Sequence, residues 1–248
     1  QIIVLALPSV SKTERKRVID SLIALPTRVI TIPTYEDLIE GKQITQTENI
    51  SVVDLLGRDP VPPLDFYIKA PTNNKICLIT GAGGSIGSEL CRQISKCDPK
   101  KLVLLDISEP ALFDIEQDLL QSGFSEIVCY LGSVNDTDLL NKIFKDNVID
   151  SVFHAAAYKH VPMVEINPMA GIINNVEGTK KMLEATLNAK CESFTLISSD
   201  KAVRPTNIMG VTKRISELIV QAFSMGQKED IKNSIKTCFA MVRFGNVI

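Results

Sequence analysis

The sequence predicts an α/β protein with a doubly wound parallel sheet, preceded by the remainder of a second α/β domain. Three observations carry that prediction. From Lys75 onward, short apolar or β-branched runs alternate with helical patterns, the signature of a parallel sheet covered on both faces. The first of these runs feeds directly into a glycine-rich loop that opens a helix, and the second ends in an aspartate.

Taken in order, residues 1 to about 56 read as strand, helix, strand. An apolar run reaches Leu7, Ser11-Lys12-Thr13-Glu14 forms a capping box before an amphipathic helix, and a second run covers Arg28 to Ile32. Glycine is absent from the strand-to-helix turn, so a pyrophosphate could not approach the backbone there, and the segment reads as a packing or docking module. Between Gly57 and Asn74 lie Pro60, Pro62, Pro63 and Pro71, which remove backbone donors and favour extended neighbours, so 57–74 reads as a linker. Beyond it, strands are expected near 75–80, 101–106, 127–131, 151–155, 193–197 and 237–242. Helices are expected near 85–96, 109–121, 136–145, 170–188 and 209–226. The chain starts within a strand and stops abruptly at Ile248, and it reads as a piece of a longer protein.

Composition narrows the function classes. Hydrophobic residues make up 45% of the 248 and charged residues 23%, which argues against disorder and collagen-like repeats. Lys and Arg total 27 against 29 Asp and Glu, so there is no basic excess to neutralise a nucleic-acid backbone. Six cysteines are scattered without a C-x-x-C pair, several inside apolar runs, and read as reduced core thiols in a cytoplasmic compartment. His154 and His160 have no third ligand at metal spacing, and no metal is expected.

The loop after the first strand is Gly81-Ala82-Gly83-Gly84-Ser85-Ile86-Gly87. Its place between a strand and a helix is what a dinucleotide site needs: a tight turn, a close approach for the pyrophosphate and close helix packing. Asp106 ends the next strand, 19 residues after Gly87. A carboxylate there can accept both ribose hydroxyls and repels a 2′-phosphate, so NAD is expected rather than NADP.

With glycines at Gly81, Gly84 and Gly87, the pattern resembles the extended short-chain dehydrogenase/reductase superfamily, a Rossmann-like fold. The resemblance implies adenine contacts from Gly132-Ser133-Val134-Asn135-Asp136, with Ser133 where an Asp is usual. It also implies a small-residue cofactor floor at Ala155, Ala156 and Ala157. The superfamily's reactive centre is a Ser or Thr at the end of strand five, then Tyr-x-x-x-Lys on the next helix. Here Ser198-Ser199-Asp200-Lys201 ends the strand, but Met209-Gly210-Val211-Thr212-Lys213 has methionine in place of the tyrosine. A thioether cannot exchange a proton, so either the site is inactive or the proton work has moved elsewhere.

Ser199-Asp200-Lys201-Ala202, Arg204-Pro205-Thr206-Asn207, Ala157-Tyr158-Lys159-His160-Val161-Pro162 and Asn174-Asn175-Val176-Glu177-Gly178-Thr179 closely resemble the nucleotide-sugar 4,6-dehydratases. The likeness is strongest to their membrane-anchored, CapD-like polysaccharide branch, and it extends to Val53-Asp54-Leu55-Leu56-Gly57-Arg58 before the linker. It implies NAD-dependent dehydration of a UDP-sugar, most naturally UDP-N-acetylglucosamine, with Asp200 as acid and Lys201 as base. It further implies that Ser199 binds the sugar 4-oxygen and that Lys213 holds the nicotinamide ribose. Lys159, Asn175, Arg243 and Asn246 would then touch substrate. By the same resemblance the longer protein is anchored in the cell membrane with this part on the cytoplasmic side, residues 1–56 are a degenerate nucleotide-binding-like domain, and most of a C-terminal substrate lobe follows Ile248. A homo-oligomer through the two long helices is expected. Two alternatives stay open: a UDP-sugar 4-epimerase, which relies on the tyrosine that Met209 replaces, and a non-catalytic NAD-binding domain.

Overall fold

The computed structural model describes residues 2–7, 10, 12–23, 28–31, 48–49, 69–229 and 236–245. The chain divides into two compact units, residues 1–63 together with 248, and residues 64–247.

In the first unit, β1 (Ile2–Leu5) is followed by α1 (Lys12–Ile23), β2 (Arg28–Thr31) and β3 (Glu48–Asn49). β1 and β2 pair in parallel, as a strand–helix–strand unit requires, while β3 adds antiparallel to β2. Ser11 of the expected capping box, Ile32 and the 53–58 motif lie outside the described residues, as does most of the 57–74 linker.

The second unit runs β4 (Ile76–Thr80), α2 (Ser85–Ser95), β5 (Lys101–Asp106), α3 (Glu109–Gln121), β6 (Ile127–Leu131), α4 (Thr137–Asp146) and β7 (Ser151–His154). It continues through α5 (Val161–Ile166), α6 (Pro168–Ile172), a π-helical turn (Ile173–Glu177), α7 (Gly178–Asn188) and β8 (Ser193–Ser199). A 3₁₀ turn (Asp200–Ala202), α8 (Ile208–Glu229) and β9 (Cys238–Phe244) complete it. The strand order is β6-β5-β4-β7-β8-β9 with every pair parallel. The chain changes direction across the sheet between β4 and β7, and a crevice for a ligand opens at the carboxyl ends of strands at such a point.

The uninterrupted apolar runs of β4 and β5 follow from burial on both faces. Ile76, Leu78, Val103 and Leu105 pack with Leu140, Ile143, Met182, Leu183 and Val220 from α4, α7 and α8. Their alternate neighbours Cys77, Ile79, Leu102 and Leu104 pack with Cys91, Ile94, Leu112, Ile115 and Leu119 from α2 and α3. Each fully buried aliphatic side chain contributes about 1.5–3 kcal/mol. The short helices start with prolines near their amino ends, Pro110 in α3, Pro162 in α5 and Pro168 in α6, where a missing N–H costs nothing.

One departure from the sequence reading matters for the site. The helix expected over 170–188 is interrupted by the π-helical turn, and α5 and α6 precede it. The extra residue in that turn directs Asn175 inward, where it is 1% exposed. The thiols largely agree with the core reading. Burial pushes Cys77, Cys129 and Cys191 up to about 12, whereas Cys238 lies exposed on β9.

Candidate active site

The glycine loop is shaped by contacts that side chains would prevent. Gly81 has φ +66°, the left-handed region, and a Cβ there would meet the Ala156 nitrogen at 2.7 Å and the Ala155 carbonyl carbon at 2.9 Å. A Cβ on Gly87 would collide with the Gly81 carbonyl, so glycine there lets α2 start against the turn. Gly84 caps α2 without any side-chain hydrogen bond, which leaves first-turn N–H groups for an anion. Asp106 braces the loop from the end of β5. One carboxylate oxygen accepts from Gly83 N at 2.8 Å and the other from Ser108 N at 2.9 Å.

The neighbouring loop is placed by the sheet. Gly132 N donates to Asp106 O at 2.8 Å, which sets Ser133 and Val134 beside the Asp106 end of the cleft. Ser133 Oγ accepts from Asn135 N at 3.1 Å, and Val134 is buried against Gly178, where a Cβ would come within 2.7 Å of its side chain. Ala155, Ala156 and Ala157 follow β7 opposite Gly81. Ala156 N donates to Thr80 Oγ1 at 3.3 Å, tying the expected floor to the strand that carries the loop. Lys159 reaches back to the loop as well, its ammonium 3.4 Å from Ser85 Oγ. These features fit a bound dinucleotide: a glycine cradle, an uncapped helix start, an acidic strand end and a floor of methyl groups.

His154 stands behind this floor as a core residue. Its imidazole is 1% exposed between Thr80 Oγ1 at 2.7 Å and Thr179 Oγ1 at 3.1 Å. Burial, then the charge of Lys213, push it down to about 3, so it is neutral at physiological pH. Thr179 donates to Asn175 O at 2.6 Å, so its oxygen accepts from Nε2–H while Nδ1 accepts from Thr80.

The chemical end is assembled from β8 and α8. Ser199 donates to Asp200 Oδ1 at 3.1 Å and accepts from Lys201 N at 3.2 Å, and the Lys201 ammonium lies 3.5 Å from the same Asp200 oxygen. The Ser199 hydrogen bond, helped by Lys201, holds the Asp200 carboxyl below its ordinary range. Both side chains face solvent, Asp200 at 53% and Lys201 at 37% exposure, so the pair is open to a ligand. A Cβ on Gly210 would collide with the Lys201 carbonyl, and this glycine therefore lets α8 start close beneath the pair. Lys213 is buried, donates to Ile197 O at 2.9 Å, and is pushed by burial down to about 8, with Glu217 opposing the shift. Met209, one turn earlier on α8, is also buried.

Two expected substrate contacts find other partners in the structure. Asn175 spends its amide on the protein: its oxygen accepts from Tyr158 N at 2.7 Å, and its nitrogen donates to Tyr158 O at 3.0 Å and Thr212 Oγ1 at 2.9 Å. It holds the loop that carries Lys159 rather than reaching the cleft. Arg243 forks onto Glu217 with two bonds of 2.7 Å through Nε and Nη2, and its side chain stays 41% exposed. Asn246 lies outside the described residues. Thr80, Ser198 and Glu217 were missed by the sequence reading. Glu217 alone left a signal, its place one turn after Lys213 on the same helix face.

A glycine cradle opening a six-stranded parallel sheet in this strand order, with a Ser-Asp-Lys turn above a buried helical lysine, defines a domain of the short-chain dehydrogenase/reductase type. A solved structure, Pen from Bacillus thuringiensis, superposes with a TM-score of 0.64 at 30% identity, over 72% of this chain and 54% of that one. The model of a family described as polysaccharide biosynthesis protein matches residues 77–248, and the chain belongs to that family. Among its relatives, the capsular polysaccharide biosynthesis protein CapD of Staphylococcus aureus is 37% identical over 99% of this chain and 40% of its own length. A UDP-glucose 4-epimerase of Rickettsia massiliae is 32% identical, and an inverting UDP-N-acetylglucosamine 4,6-dehydratase of Campylobacter jejuni 31%, each over 71% of this chain and 50% of its own length. The chain thus spans half or less of these relatives. No helix among the described residues is long and apolar enough to cross a membrane.

Proposed function

We propose that this chain carries the NAD-binding and acid–base part of a nucleotide-sugar 4,6-dehydratase acting on UDP-N-acetylglucosamine or a close relative. One observation supports the reading above the others: Asp200 and Lys201 form an open, mutually paired acid and base at the carboxyl end of β8, while the tyrosine position is a buried methionine. Gly81, Gly83, Gly84, Ser85, Ile86, Gly87, Asp106, Ser133, Val134 and Ala155–Ala157 would hold NAD, and Lys159 beside Ser85 would add positive charge at the pyrophosphate. Bound NAD would supply the hydride acceptor for C4 and the hydride donor for C6 of the sugar.

The protein's own groups handle the protons. Asp200, ionised because Ser199 and Lys201 stabilise its anion, takes the 4-hydroxyl proton as C4 is oxidised. Lys201 acts as the base in its free-amine form, its ammonium proton passing to solvent and returning from solvent once the product has left. The free amine removes the C5 proton, made acidic by the new ketone, while Asp200 passes its proton to the departing 6-oxygen. Water leaves, and Lys201 returns its proton to C5 as C6 is reduced. Every proton is accounted for without a tyrosine, which is how a methionine at 209 is compatible with turnover. Ser199 would orient the 4-oxygen, and Lys213 would hold the nicotinamide ribose. Membrane anchoring outside these residues, a cytoplasmic-side site and a homo-oligomer belong to the same reading.

The test is mass spectrometry of UDP-N-acetylglucosamine incubated with NAD and the full-length protein, with absorbance followed for NADH. Loss of one water with no accumulating NADH is expected. The Rickettsia relative favours a second reading, 4-epimerisation, and an unchanged mass with an epimer on chromatography would select it.

A further inference from the structure

Outside the residues already assigned roles, a buried carboxylate stands out. The Glu217 side chain is fully buried on α8, and four donors converge on it: Ser198 Oγ at 2.8 Å, Arg214 Nη1 at 3.0 Å, and Arg243 Nε and Nη2 both at 2.7 Å. Burying a charge is costly, and packing α8 on the sheet does not require one, since an apolar side chain of similar volume serves as well or better. The register explains what the carboxylate gains. Ser198 and Arg243 are direct neighbours across the parallel β8–β9 pair, so two strands present a hydroxyl and a guanidinium to one point on the helix. One turn earlier, Lys213 holds Ile197 O of β8. Helix α8 therefore grips β8 at two consecutive residues, 197 and 198, directly before Ser199, Asp200 and Lys201.

We propose that Glu217 is a positioning residue: it locks the carboxyl ends of β8 and β9 to α8 and so sets the place from which Ser199, Asp200 and Lys201 act. The proposal rests on the reading of those three residues as the chemical centre. The bidentate Arg243 fork gives the lock its direction, since two parallel bonds fix both distance and angle. Arg243, expected from sequence to meet a diphosphate, thereby becomes part of the frame.

The experiment compares Glu217→Gln, Arg243→Lys and Ser198→Ala with wild type in the full-length protein. Glu217→Gln is expected to lower kcat about tenfold or more, with KM for UDP-N-acetylglucosamine and NAD affinity changed less than about threefold. Arg243→Lys, which keeps the charge and loses the fork, is expected to fall between Glu217→Gln and wild type. The pH profile provides a readout that folding alone would not move. The groups facing Lys213 are the Glu217 carboxylate on its own helix and the neutral His154 from β7, with Arg214 and Arg243 behind Glu217. Removing the carboxylate takes away what favours the ammonium, so a limb due to Lys213 moves to lower pH in Glu217→Gln.

Should Glu217→Gln fail to fold, Ser198→Ala removes one donor and leaves the Arg243 fork. In that variant, amide exchange at Lys201, whose N–H is bound by Ser199, is expected to rise several-fold while β5 is unchanged. The exchange measurement needs no turnover, so it judges Glu217 even if wild type removes no water from the sugar. Unaltered exchange around residues 199–201, or a kcat loss matched by loss of folded protein with the pH limb in place, would overturn the proposal.

Discussion

The two ends of the cleft are built by different means. At the cofactor end the structure depends on what is missing: side chains at Gly81, Gly83 and Gly87, where a Cβ would come within 3 Å of neighbouring backbone. Its partners are one strand–loop–helix unit, Asp106 of the next strand, which meets Gly83, and the backbone of Ala155 and Ala156 after β7. At the chemical end the structure depends on charges brought together from far apart in the chain: Lys213 reaches Ile197, and Glu217 gathers Ser198, Arg214 and Arg243. Backbone shape is encoded locally by glycine and tolerates few changes. Charge geometry is encoded by the packing of three elements, and the helix position expected to hold a tyrosine is filled by the buried Met209.

If the two ends are separable, breaking one leaves the other working. Asp200→Asn is expected to lower turnover by about a thousandfold while NAD titration gives an unchanged affinity. A parallel loss of NAD binding would show that the ends are coupled. Gly87→Ala attacks the other end. Its methyl group would collide with the Gly81 carbonyl, so thermal melts should show a loss of about 1–3 kcal/mol, and NAD binding should fall with it.

Lys213 sharpens the comparison through pH. It titrates near 8 in the folded protein against 10.5 for a free lysine, so between those values the unfolded chain binds more protons and stability rises with pH. The cost of burying the ammonium is present below about pH 8 and is relieved as pH passes through 8 towards 10.5. Urea titrations between these values should show a gain on the order of 1–3 kcal/mol that disappears in Lys213→Met. The smallest effect is expected for Met209→Tyr, with turnover within about threefold of wild type, because in the proposed mechanism Asp200 carries the proton that a tyrosine would take. A large gain in rate would instead assign the oxidation step to a phenol.

Much of the fold was legible before any coordinates, for physical reasons visible in particular residues. Runs such as Ile76-Cys77-Leu78-Ile79 are apolar at every position because both faces of β4 are covered, and that leaves an unmistakable trace. Asp106 was legible from its spacing to the loop. The π-helical turn was not, because nothing in Ile173-Asn174-Asn175-Val176-Glu177 departs from an ordinary helical pattern. The extra residue is accommodated because the Tyr158 backbone needs partners at that spot. The Arg243 fork was not legible for a similar reason, since a guanidinium at a strand end looks alike in sequence whether or not a buried carboxylate waits beside it.

By itself, then, the sequence determined the order of the strands and most of the helices, the cradle of glycines, the adjacent Asp200 and Lys201 and the absence of a tyrosine, all properties of neighbours in the chain or of local periodicity. Only the tertiary structure decided that Asn175 holds a loop, that His154 is a neutral core residue between two threonines, and that Arg243 forks onto the buried carboxylate of Glu217. Those outcomes depend on which polar groups meet after the sheet closes. Burial without a partner is costly, so each such group takes the nearest partner that folding brings to it.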